Sequence, residues 1–264
     1  MVMSACSFAS GGLAVAGLAL AFAIHGPASA QTAQGSHGSG SHHHAAPSCT
    51  ALPSPPDTLW TLAECCAKSL GSNPSCRVYD KKDEFVIIKD NNPKKPVAYL
   101  LMPSIKVTGI EDPLVSKAPV VDFWEFAWSQ SRKFPGKPAA STALAINSVH
   151  GRDQNQLHIH ISCIRADVKK ALDGAKIGVF PAKPVALQLP PHNNTYEVVK
   201  VTGLGGKQSP FLVIQEDPRA RAHMGNQSVA VVGSVHANEY LVLNTYHHGS
   251  NPGTAEELLD QACS

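Results

Sequence analysis

The run His158-Ile159-His160-Ile161-Ser162 holds the residues of this chain best suited to chemistry. In a β-strand, successive side chains point to opposite faces. Gln154, Gln156, His158, His160 and Ser162 would then share one face, and Leu157, Ile159, Ile161 and Cys163 the other. One face is apolar enough to be core. The other presents two imidazoles, two amides and a hydroxyl, with no charge that is fixed near pH 7. Imidazole acts near neutrality as nucleophile, proton shuttle or metal ligand. Half-buried strands alternate in this way as a matter of course, so alternation alone describes a solvated face better than a site. The preceding segment, Asn147-Ser148-Val149-His150-Gly151-Arg152-Asp153-Gln154-Asn155, shifts the balance toward a site.

Asn147 through Ser162 resembles the histidine-triad (HIT) superfamily of nucleotide hydrolases and transferases. Asn147, Gly151, Gln154, His158 and His160 fall at that superfamily's spacings. Ser162 replaces the third histidine, a place where the nucleotidyltransferase branch carries Gln. Pro96 through Pro103 looks like the superfamily's earlier strand, and Lys106 falls where many members carry a further His. A closer resemblance rests on Leu59-Trp60, Tyr99-Leu100-Leu101-Met102-Pro103, Gly151-Arg152, Gln154-Asn155, His158 through Cys163, and His223-Met224-Gly225. That combination is similar to the bacterial CDP-diacylglycerol pyrophosphatase family, from about Asp57 to Cys263. The resemblance implies an envelope-located, membrane-associated hydrolase that splits CDP-diacylglycerol into CMP and phosphatidate. It also implies an α+β fold, a HIT-like antiparallel sheet with packed helices, in two pseudo-symmetric halves at about 57–173 and 195–264.

On this resemblance His160 is the nucleophile toward phosphorus, and a neutral imidazole is competent for that role. His158 orients it or assists electrostatically. Asn147, Gln154, Asn155 and Ser162 hydrogen-bond phosphate oxygens, or the amides fix a tautomer, while Lys106 and Arg152 offset the diphosphate charge. Ser162 is a poor acid. Phosphatidate, a phosphomonoester with a second pKa of about 6, needs little protonation to leave. Otherwise His150 or His223, folded over the site, supplies the proton. This chemistry requires no metal or cofactor. The partners implied are CDP-diacylglycerol or a related nucleotide diphosphate ester and a membrane lipid surface.

Two other readings stand beside it. His158 and His160 could ligate a metal with His150, His223 or His236 as a third donor, which leaves Asn147 and Gln154 without a role. A two-histidine phosphoesterase needs a second His-x-Ser strand, and His248-Gly249-Ser250 sits in a turn-like stretch instead.

The 264 residues, with net charge +2 and pI near 8.1, suit one domain or two tightly joined halves. Basic residues come as scattered pairs such as Lys81-Lys82, Lys94-Lys95 and Lys169-Lys170, so nucleic-acid binding is disfavoured. Gly11 through Ile24 is apolar but short for a membrane span, and Ala28-Ser29-Ala30 follows it. Residues 1–30 therefore read as an export signal, or, since residues 1–10 hold no Lys or Arg, as a retained anchor. Residues 31–56, rich in Gly, Ser, His and Pro and including His42-His43-His44, read as a flexible tether, and 57–264 as the hydrolase domain. Six cysteines follow the leader. An even number in an exported chain favours disulfides, among fifteen pairings. The expected pairs are Cys66–Cys76 and Cys163–Cys263, with Cys49–Cys65 as a third.

Along the chain, Asp57 caps a helix running to about Leu70 with an apolar stripe at Leu59, Leu62, Cys66 and Leu70. Strands are expected at Phe85–Ile88, Val97–Met102, Ala143–Ile146 and Gln156–Ile164, and helices at Val120–Phe134 and Val168–Leu172. Gly174 through Asn194 reads as a crossing segment. Strands follow at Tyr196–Val201, Phe211–Ile214, Ser228–Val235 and Tyr240–Thr245. Thr254-Ala255-Glu256-Glu257 reads as a capping box opening a last helix.

Overall fold

The computed structural model describes residues 49–249 and 251–264. The expected leader and most of the tether, with His42 to His44, lie outside the described residues. Among the described residues ten strands form one sheet: β1 (Cys76–Asp80), β2 (Phe85–Lys89), β3 (Tyr99–Pro103), β4 (Thr142–Ile146), β5 (Ile159–Ile164), β6 (Val185–Leu189), β7 (Asn194–Val201), β8 (Gln227–Gly233), β9 (Tyr240–Tyr246) and the two-residue β10 (Leu259–Asp260). Their spatial order is β1-β2-β3-β5-β4-β8-β9-β7-β6, with β10 on β5, and every pairing is antiparallel.

The order contains a repeat. Outward from the centre the first half runs β4, β5, β3, β2, and the second half runs β8, β9, β7, β6. Each set reads third, fourth, second, first in its own chain order. The halves join where β4 pairs with β8, from Ala143 opposite Val232 to Ile146 opposite Val229. In each half the long connection between second and third strands carries helix: α2 (Phe123–Ser131) in the first, α4 (Pro210–Gln215) and α5 (Pro218–Ala222) in the second. Trp124 of α2 meets Phe211 of α4 with ring centroids 5.5 Å apart, over a core that includes Leu101, Leu144, Ile159, Ile161, Val199, Val229 and Val242. A buried aromatic at such a junction contributes about 3–5 kcal/mol when truncation is the measure.

The opposite face is covered in two places. Helix α1 (Thr58–Lys68) lies over Val86, Ile88, Leu100 and Met102. Helix α3 (Ala166–Asp173) and the segment 255–259 lie over Ala143, Ala145, Ala230, Val232 and Leu243. Between these two covers sit the histidines. Ala145 of β4 stands opposite His160 and Ala143 opposite Ser162, so the neighbouring strand offers methyl groups that leave space for the imidazole.

The expected α+β plan is the observed one, and most expected elements are in place. Several details differ. Phe211–Ile214 is the helix α4 rather than a strand: a short apolar run carries no periodicity to decide between the two, and Pro210 at the first turn starts a helix well. The stretch 174–194 contains β6, and β1 was not expected. Thr254 makes no capping bond, and Ala255–Leu258 is a single 3₁₀ turn leading into β10, not a last helix. Asp57 precedes α1 without a side-chain capping bond. Residues 49–56, the end of the expected tether, are held in place: Cys49 is bonded to Cys65, Asn73 Nδ2 donates to the Cys49 carbonyl at 3.0 Å, and Asn155 N donates to the Pro56 carbonyl at 2.9 Å. The other two disulfides are Cys66–Cys76 and Cys163–Cys263, as expected. No helix of the described residues is long and apolar enough to cross a membrane.

Candidate active site

His158 and His160 are both buried, with rings 4.9 Å apart at 68° in an edge-to-face arrangement. Strand β5 starts at Ile159, so His160 is fixed in the ladder, between Leu100 of β3 and Ala145 of β4. His158 stands just before the strand. Its Nδ1 lies 2.7 Å from the Gln156 carbonyl. A carbonyl only accepts, so Nδ1 carries the proton and Nε2 the lone pair. The His160 ring has no hydrogen-bond partner at either nitrogen, and Nδ1 lies 3.4 Å from Glu256 Oε1.

Burial governs the charge of both rings. It pushes the His160 imidazole down to about 3, against the pull of the Glu256 carboxylate and with His158 and Lys95 adding to the fall. His158 is also lowered, chiefly by burial, although its bond to Gln156 and the Glu256 charge oppose this. Both are therefore neutral at pH 7. Burial alone would raise the Glu256 carboxyl; His160, Lys95 and Asn147 outweigh it and hold the group below the ordinary carboxylate range.

Glu256 is a residue the sequence did not reveal as part of the site. Its Oε1 accepts from Lys95 Nζ and, at 2.9 Å, from Gln261 Nε2. Its Oε2 accepts from Asn147 Nδ2 at 3.2 Å, and its backbone N–H donates to Asn147 Oδ1 at 3.1 Å. The segment that carries it is fastened around the turn after β4. Ser148 Oγ donates to the Pro252 carbonyl at 2.5 Å, and a Cβ on Gly151 would lie 2.9 Å from the Gly253 carbonyl oxygen, so glycine permits the approach.

The expected phosphate ligands divide. Asn147 is beside the histidines, but both ends of its amide serve Glu256. Gln154 precedes the strand and accepts from Leu59 N at 3.1 Å, tying down the start of α1. Asn155 is exposed. Ser162 is fully buried and its hydroxyl lies 2.9 Å from both the Val97 and Asp260 carbonyls, so in this structure the group expected at phosphate ties β5 to neighbouring backbone. Gln156 is likewise structural, bonded to Pro103, Ile105 and Val107 backbone groups. Arg152 forms a two-pronged pair with Glu111, with Nη1 to Oε2 at 2.7 Å, and its buried Nε has no partner. Gly109 makes room, since a Cβ there would lie 1.9 Å from Arg152 Nη1. Arg152, Asn147, His158 and Gly109 line one small pocket. Lys106 is exposed, 3.7 Å from Asp57.

Neither expected acid is delivered to the histidines. His150 stacks on His247 with centroids 3.9 Å apart and its Nε2 lies 3.2 Å from Asn226 Oδ1. His223 follows α5 and lines a cavity of about 340 Å³ with Glu197, Asn244 and Gln227. Each of those three stands two positions along its strand from Val199, Val242 or Val229 and so shares their face of the sheet, the one opposite the histidines. His236 borders a different cavity, of about 610 Å³. Neither of these larger cavities includes His158 or His160. Among the described residues no three His, Cys, Asp or Glu side chains are grouped to hold a metal. His248 follows β9 and makes a single isolated bridge to Asn251, and Ser250 lies outside the described residues.

A family model described as CDP-diacylglycerol pyrophosphatase matches residues 54–264. Among solved structures, the chain is similar to a DUF4931 family protein from Bacillus cereus, at 15% identity over 67% of this chain and 88% of that one, with a TM-score of 0.43. It is similar to a HIT family hydrolase from Clostridium thermocellum, at 23% identity over 37% and 84%, with a TM-score of 0.31. It is also similar to yeast Ap4A phosphorylase, at 14% identity over 76% and 72%, with a TM-score of 0.42.

Proposed function

The chain belongs to the CDP-diacylglycerol pyrophosphatase family, and from that premise we propose that it cleaves CDP-diacylglycerol by passing the cytidylyl group through His160. It is a hydrolase of a phosphoanhydride bond. The observation that carries the histidine route is the buried, neutral pair of imidazoles, with His160 free of hydrogen bonds at both nitrogens.

In the first step the lone pair of His160 Nε2 attacks the phosphorus of the CMP moiety. The bond from that phosphorus to the bridging oxygen breaks, and phosphatidate departs with the electron pair. In the second step water attacks the same phosphorus, and the P–N bond breaks with its electrons returning to Nε2. His158 Nε2, whose lone pair is left open by the Nδ1 bond to Gln156, takes the proton from that water and releases it to solvent. Arg152, lining the pocket beside His158, faces the diphosphate, and Glu111 keeps its guanidinium in place.

The lipid end of the substrate brings the enzyme to a membrane surface. Three disulfides suit an oxidising compartment and support export to the envelope. The test is CMP and phosphatidate release from CDP-diacylglycerol in mixed micelles, beside a nucleotide sugar and a dinucleotide. The expected result is preferred cleavage of the lipid substrate and its loss in His160→Ala. Cleavage of the soluble esters alone, or near-normal turnover by His160→Ala, contradicts the proposal.

A further inference from the structure

We infer that Glu256 is a positioning residue for His160: it holds the imidazole in the Nδ1–H tautomer, so that Nε2 presents the lone pair. The inference rests on His160 being the nucleophile, as proposed above. Glu256 reaches the site from the far end of the chain. Its Oε1 is 3.4 Å from His160 Nδ1, and the carboxylate is fixed by Asn147 at both side chain and backbone, by Gln261 and by Lys95. An ionised carboxylate has no proton to give and can only accept. The nitrogen facing it must then be the protonated one. The remaining nitrogen, buried and without a partner, is left as the nucleophile. At 3.4 Å the hydrogen bond is not fully formed, and contacts of this kind shorten in the substrate complex.

The arrangement also meets the charge that chemistry creates. When Nε2 bonds to phosphorus, the ring that retains its Nδ1 proton becomes cationic. A buried cation without a counter-charge is costly. Glu256 supplies that charge at Nδ1, while the other charged or titratable groups acting on the ring are His158 and Lys95. No atom is transferred to Glu256. The proton stays on Nδ1 through both steps, and the ring is neutral again once the P–N bond breaks.

Two measurements test this together. The first uses the wild-type protein: ¹⁵N NMR of the His160 ring in the resting enzyme, assigned by comparison with His160→Ala. The expected spectrum is that of a neutral ring protonated at Nδ1, while protonation at Nε2 overturns the inference. The second is Glu256→Gln, whose amide can donate to Nδ1 and so reverse the tautomer. Its kcat is expected to fall on the order of 10²-fold or more, with KM changed little, by analogy with loss of the carboxylate behind a catalytic histidine. The ¹⁵N signature should move to Nε2–H. A folded Glu256→Gln enzyme with near-normal kcat and an unchanged tautomer overturns the inference even when His160→Ala is inactive. An active His160→Ala would instead remove the reading on which the inference rests.

Discussion

Asn147 holds Glu256 at two points, its Nδ2 on the Glu256 carboxylate at 3.2 Å and its Oδ1 on the Glu256 backbone N–H at 3.1 Å. The residue just past β4 thus fixes a side chain near the C-terminus against the ring of His160. An Asn in this place is most simply read as a phosphate ligand. In the fold it acts one step removed, on the carboxylate that faces the His160 ring.

Asn147→Ala should therefore lower kcat more than it raises KM. It also leaves the Glu256 N–H and one carboxylate oxygen short of partners, at a cost of about 1–3 kcal/mol. Steady-state kinetics beside urea unfolding will separate these effects. A variant whose KM alone rises would restore Asn147 to substrate binding.

Ser162→Ala should be nearly silent in kcat, because the hydroxyl is taken up by the Val97 and Asp260 carbonyls. The stability loss should be about 1 kcal/mol. Without a third histidine to protonate the leaving group, the rate should depend steeply on leaving-group pKa across a series of CDP esters. A flat dependence that collapses in His150→Ala or His223→Ala would point to a rearranged site, since neither ring is at the histidine pair in this structure.

Stability should fall as pH drops below neutrality. In the unfolded chain His160 takes its proton near its ordinary pKa of 6.5, whereas in the fold burial delays this to about 3. Between those values the unfolded state binds more protons, so acid favours unfolding. The buried-histidine contribution is complete above about pH 6.5 and is lost progressively below it. Denaturant midpoints from pH 8 to 5 should decline in the wild type and decline less in a folded His160→Gln. An equal slope in both proteins would show that His160 is not held neutral.

Much of this was legible in the sequence, and the exceptions share a cause. The histidine strand is read from local alternation, and the disulfides from cysteine count and compartment, because these are local or compositional signals. Glu256 was hidden. In sequence, Thr254-Ala255-Glu256-Glu257 has the spacing of a capping box, but its glutamates are taken by tertiary partners: Glu256 by Asn147 and Lys95, Glu257 by Tyr196 and Asn194. A carboxylate that leaves its own turn to serve a distant strand has no signature in spacing. Gln154 and Gln156 were misplaced for a related reason. Strand alternation does not reach upstream of Ile159, where the chain is not yet a strand. The run Phe211–Ile214 is apolar at every position, and its periodicity does not decide; Pro210 at the first turn and packing of Phe211 on Trp124 go with helix.

The Cys163–Cys263 disulfide should matter more to catalysis than its distance from the reacting atoms suggests. It joins β5 to the end of the chain just beyond Glu256 and closes a span of 100 residues. Replacing both cysteines by Ala should cost up to about 4–5 kcal/mol in the loop-entropy model. It should also lower kcat at temperatures where the protein remains folded, since β10 and Glu256 are then less firmly held. Unchanged kcat in the folded double variant would show that Asn147, Lys95 and Gln261 suffice to hold Glu256.

The most direct test of the central claim is a single-turnover reaction with CDP-diacylglycerol labelled in the cytidylyl phosphate, quenched in alkali and mapped by peptide mass. The account predicts transient cytidylyl label on His160, formed with phosphatidate release and lost as CMP appears. Label on His158 or another residue, or complete conversion with no protein-bound label at any time point, would contradict it.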